Sequence, residues 1–293
     1  MKIITQLIFS LRPKHWIKNL LIFLPAVFGQ KIFVPSVFLK ILSAFIFFSL
    51  ASSSAYLIND VLDRKKDKAH PLKRLRPIAA GKIRPASAVT LAVILGLGSI
   101  YLSWLSDYRL SLAILVYLGF NLLYSFFLKE IVIIDVFCLG AFFLIRLLIG
   151  ALVVNIALSH WIIMCILLLA IFLGFNKRRQ ELRLINISGK AHRQVLEHYN
   201  EYFIDQMCTV LASSIVVVYS LYTIDNRTVH EFGTSHLLYT VPFVYYGIFR
   251  YMYLIHKLVK DGDPTTMLFS DSKMMVNLLL WISMCIAVIY GGI

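Results

Sequence analysis

The sequence predicts an all-α polytopic membrane protein, a bundle of about nine transmembrane helices, and three observations lead there. Hydrophobic residues make up 59% of the 293 residues and the mean hydropathy is +0.79, well beyond an ordinary soluble domain. Apolar runs of about 20 residues, enough to span a bilayer, recur along the whole chain. Lys and Arg are also divided unevenly among the loops that join those runs, the asymmetry that orients an integral membrane protein.

Taken in order, the runs lie near 20–36, 38–58, 86–105, 109–128, 131–154, 159–176, 203–222, 236–256 and 275–292. With the N-terminus inside, 23 of the 29 Lys and Arg residues fall on the inner side. They are Lys2, Arg12, Lys14, Lys18, the run from Arg64 to Arg84, Lys129, the run from Lys177 to Arg193, and Lys257, Lys260 and Lys273. Lys31, Lys40, Arg109 and Arg227 fall outside, while Arg146 and Arg250 lie within spans. The expectation is a multi-pass protein of the cell (plasma) membrane with its N-terminus and active site cytoplasmic. The net charge of +14 then faces anionic headgroups and anionic substrates. Because the basic residues are spread over short loops, no nucleic-acid partner is expected.

Residues 1–18 read as an interfacial segment, with Trp16 at headgroup depth, and residues 19–293 as the transmembrane domain. The apolar part of the first ten residues is short and runs into Arg12-Pro13-Lys14 with no small-residue cleavage pattern, so it is not read as a signal peptide. Cys138, Cys165, Cys208 and Cys285 all fall inside spans with no paired spacing, which indicates neither a disulfide framework nor a zinc site.

The polar residues gather on the inner side. Asn59, Asp60, Asp63 and Asp67 close the second apolar run, and at about 100° per helical residue they fall within an arc of about 100°. Their oxygens suit Mg²⁺, which usually shares its shell with substrate phosphates. The cations that follow, Lys68, Lys73, Arg74, Arg76 and Lys82, suit the phosphate oxygens, Arg as a planar fork and Lys as a point charge. The plainer reading is a solvated acidic helix end paired with lysines; the spacing, the leading Asn and the membrane context favour a metal-bridged diphosphate site.

Three further inner segments carry candidates. Tyr124-Ser125-Phe126-Phe127-Leu128-Lys129-Glu130 is followed by Asp135 about one turn inside an apolar run, where a carboxylate is costly enough to suggest a function. By themselves Tyr124 reads more readily as an interfacial anchor and Lys129 as a topological charge. Asn176-Lys177-Arg178-Arg179-Gln180-Glu181-Leu182-Arg183 offers cations for a second phosphate, with Glu181 to orient one of them; positive-inside bias with an internal Glu–Arg pair explains it as well. The last, from Lys257 to Lys273, holds Asp261-Gly262-Asp263-Pro264, a turn signal, and Asp271. Arg146, deep in a span, needs Asp135 or a phosphate, and Arg250 can snorkel to the inner surface. The eight histidines form no metal pattern, and nucleophile elbow, Walker loop and Gly-x-Gly-x-x-Gly are absent.

Asn59-Asp60-x-x-Asp63-x-x-x-Asp67 after a transmembrane helix resembles the first aspartate-rich motif of the UbiA superfamily of intramembrane prenyltransferases. That resemblance implies a helical bundle with a cytoplasm-facing polar cavity. Further stretches resemble the branch that transfers phosphoribose to a decaprenyl-type polyprenyl phosphate. They are Leu11-Arg12-Pro13-Lys14-His15-Trp16-Ile17-Lys18-Asn19, Ala69-His70-Pro71, Lys73-Arg74-x-Arg76-Pro77-Ile78-Ala79-Ala80-Gly81, Tyr124-Ser125 with Leu128-Lys129 and Asp135, and Gly262-Asp263-Pro264. Typical prenyl-diphosphate users carry a second Asp-x-x-x-Asp motif where this chain reads Lys177-Arg178-Arg179-Gln180-Glu181, which resembles the basic version of the phosphoribosyl branch. That branch has Tyr at the position of Arg179.

The resemblance implies displacement of diphosphate from C1 of 5-phosphoribosyl diphosphate by the phosphate of a polyprenyl phosphate, with Mg²⁺ as cofactor. Asp60 and Asp63, with Asn59 and Asp67, would hold the metal. Lys14, Lys18, Lys73, Arg74, Arg76, Asp135, Arg146, Lys177, Arg178 and Glu181 are the substrate-binding candidates, and Tyr124 and Lys129 are placed at the reacting groups. Membrane lipid surrounds the bundle and a homo-oligomer is compatible with it. The competing readings are a UbiA-type enzyme that moves a prenyl group from prenyl diphosphate to an aromatic acceptor, and a carrier of phosphorylated lipids.

Overall fold

The computed structural model describes residues 2–70, 73–188, 194–257 and 271–291. Every regular element among them is helical. The chain folds as two compact units, one built by the helices up to residue 157 and the other by those from residue 158.

The first unit holds α1 (Lys2–Ser10), a 3-10 segment (Pro13–Phe23), α2 (Leu24–Phe28), α3 (Pro35–Leu62), α4 (Arg64–Ala69), α5 (Pro85–Ser106), α6 (Tyr108–Phe126) and α7 (Ile134–Val154). Proline opens α3 and α5, where its missing N–H is no loss. Asp107 caps α6 by accepting from the Arg109 N–H at 2.9 Å. The second unit holds α8 (His160–Ser188), α9 (Glu201–Ile224), α10 (Asn226–Phe232), α11 (Val241–Lys257) and α12 (Ser272–Gly291).

Seven helices among the described residues, α3, α5, α6, α7, α8, α9 and α12, are long and apolar enough to cross a membrane. The protein is a multi-pass membrane protein. α11 has 17 residues and follows a 3-10 turn, His236–Thr240, which together cover the predicted span 236–256. The predicted span 20–36, in contrast, is not one helix. Pro25, Gly29, the left-handed Gln30 at φ 55° and Pro35 break it into the end of the 3-10 segment, α2 and a loop.

That broken segment packs against α7 and α3. A Cβ at Gly150 would lie 2.1 Å from the Ile22 carbonyl oxygen, so only glycine lets α7 approach the 3-10 backbone this closely. Small residues on α3 serve the same end. Ser54 Oγ donates to the Ala92 carbonyl of α5 at 2.7 Å, and Gly96 faces the same serine. Large apolar side chains such as Val93, Ile94, Leu97, Leu115 and Val116 stay exposed on α5 and α6, as expected where the surroundings are lipid rather than water.

Candidate functional site

The motif at the end of α3 is built by helical winding that continues past the end of that helix. Asp63 sits between α3 and α4, yet its N–H donates to the Asn59 carbonyl at 2.9 Å and the Asp67 N–H donates to the Asp63 carbonyl at 2.8 Å. Asp60, Asp63 and Asp67 therefore keep the expected common arc, and all three are buried. Asn59 is half-buried, and its Oδ1 lies 3.4 Å from Ser125 Oγ.

Each aspartate faces a cation of the chain. Arg76 Nη1 lies 3.1 Å from Asp60 Oδ1 and 2.7 Å from Asp67 Oδ2, a single nitrogen between two carboxylates. Arg12 Nη2 forms a second ion pair with the same Asp60 oxygen. Lys129 Nζ lies 2.7 Å from Asp63 Oδ1, with both residues buried. Beside them Lys66 and Glu130 pair at 2.8 Å, tying α4 to the 3-10 turn Leu128–Glu130. Burial pushes the Asp67 carboxyl above the usual carboxylate range, against the pull of the Arg76 guanidinium.

Local packing explains why Arg76 and Arg12 arrive there. Ile78 and Ile83 bury against Leu57, Ala88 and Ala92, which pins the basic loop to α3 and α5 and turns Arg76 toward the carboxylates. Arg12 adopts a left-handed backbone, φ 54° and ψ 56°, which turns the chain between α1 and the 3-10 segment. That segment is held by serines on one side of α3. Trp16 Nε1 donates to Ser53 Oγ at 3.0 Å, Ser53 Oγ donates to the Leu11 carbonyl at 2.9 Å, and Asn19 Nδ2 donates to Ser49 Oγ at 3.0 Å. Trp16 is thus half-buried and tied to α3.

Arg146 also serves this segment. Its Nε donates to Asn19 Oδ1 at 2.9 Å and its Nη1 to the Phe142 carbonyl, and the guanidinium lies 5.1 Å from the Phe48 ring centroid and 5.6 Å from that of Tyr117. Its partners among the described residues are therefore an amide, a carbonyl and aromatic faces; Asp135, one of the two partners that the sequence offered beside a phosphate, is not among them. Asp135 is fully buried in the first turn of α7. Just before it, Ile133 adopts φ 69°, a strained value for a β-branched residue, with the Ile134 N–H donating to the Val132 carbonyl at 2.8 Å. The Tyr124 ring stands edge-on to Phe142 at 5.6 Å. Lys14 and Arg74 are exposed, and Lys18 and Lys73 half-buried.

In the second unit, α8 carries the basic segment as part of the helix. Arg178 is fully buried and pairs with Glu181 one turn on. Arg179, whose role the sequence left open, forms a two-pronged ion pair with Asp205 of α9, with Nη2 and Oδ2 at 3.0 Å. Lys177 is half-buried beside them. Arg250 Nη2 lies 2.8 Å from Asp271 Oδ2, and Asp271 also accepts from the Met274 N–H at the start of α12. Asp261-Gly262-Asp263-Pro264 and Pro71 lie outside the described residues.

Mg²⁺ fits the donor chemistry, since Asn59, Asp60, Asp63 and Asp67 offer oxygen only. Asp60 and Asp67 already converge on one cationic atom, the Arg76 nitrogen. Among the described residues no group of three or more His, Cys, Asp or Glu side chains is placed to hold a metal ion. Two carboxylates, with the shell completed by water and substrate phosphate, is a usual arrangement for Mg²⁺.

Sequence reasoning named the aspartates, Arg76 and Lys129 but gave no role to Arg12, Asn19 or Asp205. The first two stand in the Leu11–Asn19 stretch, whose spacing was the available signal. Asp205 is 26 residues from Arg179 on another helix, with no local signal at all.

The chain resembles known proteins along nearly its whole length. It is 33% identical over 299 residues to a decaprenyl-phosphate phosphoribosyltransferase of Mycolicibacterium smegmatis, covering 98% of this chain and 93% of that one. It is 32% identical to the protein of the same name from Mycobacterium tuberculosis, covering 94% and 91%. Among solved structures, a UbiA homolog from Archaeoglobus fulgidus bound to GPP and Mg²⁺ superposes with a TM-score of 0.70 at 18% identity, covering 97% of this chain and 99% of that one, which bears on the fold. The UbiA prenyltransferase family matches residues 20–279, and the chain belongs to that family.

Proposed function

We propose that the protein transfers 5-phosphoribose from 5-phosphoribosyl diphosphate to a polyprenyl phosphate, releasing diphosphate, at a cytoplasm-facing site that uses Mg²⁺. One observation carries the reading. Three buried aspartates and three cations of the chain share one cluster at the end of α3, in a chain alignable over more than nine-tenths of its length with proteins named for phosphoribosyl transfer.

The bond that breaks joins C1 of the ribose to the diphosphate, whose oxygen leaves with the electron pair. The bond that forms joins C1 to a phosphate oxygen of the lipid. Such a phosphate is mostly ionised near neutral pH, with its second pKa about 6, so no strong general base is needed, and none of the histidines is required to act as one. Asp60 and Asp67, with Asn59 and Asp63, would hold Mg²⁺, which supplies positive charge where the leaving diphosphate develops negative charge. Arg76, with Lys73 and Arg74 of the same loop, would take diphosphate oxygens. Lys129 would act at the reacting phosphate once released from Asp63, with Tyr124 beside the ribose. Lys14, Lys18, Asp135, Lys177, Arg178 and Glu181 are assigned to the remaining substrate contacts. Arg146, committed to Asn19 and the rings around it, holds the 3-10 segment against α7.

The test is transfer of label from 5-phosphoribosyl diphosphate into the lipid phase by purified protein, with polyprenyl phosphate, with Mg²⁺ or chelator, and beside a prenyl-diphosphate reaction. Metal-dependent labelling of the lipid is expected, and Asp63→Asn should reduce it at least a hundredfold. Consumption of prenyl diphosphate with no labelled phosphoribosyl lipid would move the protein to the aromatic prenyltransferase class.

A further inference from the structure

We propose that Arg12 couples metal binding to diphosphate binding: its guanidinium occupies Asp60 until a diphosphate draws it away, so each ligand opens the site to the other. The inference deepens the metal-dependent diphosphate reading and rests on it.

Within its ion pairs the cluster is balanced, with Lys73 a further positive charge near Asp67. Asp60, Asp63 and Asp67 meet Arg12, Arg76 and Lys129, three negative charges against three positive. One oxygen, Asp60 Oδ1, takes both guanidinium groups. A divalent cation arriving alone would add charge beside three cations and compete with two guanidiniums for that oxygen. A diphosphate arriving alone would add negative charge beside three buried carboxylates. Arriving together they largely cancel, and the guanidinium released from Asp60 finds a phosphate oxygen in exchange.

Arg12, more than Arg76, is the residue that controls this exchange. Arg76 is held by two carboxylates at once, so losing Asp60 leaves it paired with Asp67. Among the described residues Arg12 makes one ion pair, with Asp60, and its guanidinium lies over the Tyr56 ring at 5.1 Å. Its left-handed backbone, held between the Leu11 carbonyl bonded to Ser53 and the docked 3-10 segment, keeps the side chain in reach of Asp60. Backbone strain of this kind gathers at sites where a side chain must be held in one place.

Three full-length variants in detergent test the coupling. The first measurement is Mn²⁺ uptake without any diphosphate, followed by the resonance of the free ion. Arg12→Gln should bind Mn²⁺ about tenfold more tightly than the parent, within the usual range for linked sites, and Arg12→Lys should return toward parental affinity. The second is binding of labelled 5-phosphoribosyl diphosphate in chelator. Asp60→Asn, which frees Arg12 and leaves Arg76 paired with Asp67 alone, should raise it several-fold. Equal Mn²⁺ affinity in parent and Arg12→Gln, or unchanged metal-free binding in Asp60→Asn, overturns the coupling and leaves the metal reading intact. If neither parent nor Arg12→Gln takes up Mn²⁺, the metal reading falls and the coupling with it. Because the two measurements use different variants, misfolding of one, detected by its melting, leaves the other to decide.

Discussion

At the residue scale the site is a set of buried ion pairs, and their worth lies in arrangement rather than in stability. Breaking a buried pair leaves one charge uncompensated, whereas replacing both partners with apolar residues is often neutral. Lys129→Met should therefore destabilise the protein by about 3 kcal/mol, and adding Asp63→Leu should recover most of that loss without recovering turnover. Thermal unfolding in detergent beside the transfer assay checks both. Asp67 carries a different signature. Burial raises its folded pKa, so the folded state binds a proton more tightly than the unfolded chain does. Stability should then fall as pH rises from the ordinary carboxylate value, about 3.9, through the raised one, the reverse of a salt-bridged aspartate with a depressed pKa. Melting followed across that window should slope downward with pH, and Asp67→Asn should flatten the slope.

At the element scale the decisive piece is the segment from Leu11 to Phe28, which runs as 3-10 helix and a short α-helix and takes in the first part of the apolar span expected at 20–36. Its backbone lies against Gly150 and its polar side chains meet the serines of α3 and Arg146 of α7. This docking brings Arg12 to Asp60. Gly150→Ala should push the segment off α7, since its Cβ would fall 2.1 Å from the Ile22 oxygen. A melting point lower by several degrees and at least tenfold less transfer are expected. Gly98→Ala on α5, where a Cβ meets nothing within 4 Å, should change neither.

At the scale of the whole molecule, the distribution of basic residues predicts which side each loop faces. A cysteine placed at Arg227, in α10, should react with a membrane-impermeant maleimide added to intact cells, and one placed at Lys66, in α4, should react only after the membrane is opened. Cys138, Cys208 and Cys285 are buried, which keeps their background low. Labelling of Lys66→Cys from outside would invert the topology and with it the cytoplasmic site.

Much of this protein is legible in its sequence because the determining forces are local. Length and hydropathy mark the spans, since an apolar run of about 20 residues crosses a bilayer as a helix that satisfies its own backbone, and helical periodicity sets Asp60, Asp63 and Asp67 on one arc before any packing is known. Tertiary structure alone decided the rest. Pro25 and Gly29 warn of a break in the first apolar run, but its docking against α7 depends on Gly150, more than a hundred residues away. The partners of Arg146, Arg179 and Arg12 are likewise remote in sequence, at Asn19, Asp205 and Asp60. A charge can be read from one residue; which opposite group compensates it depends on the close packing of helices, and that is a property of the folded chain.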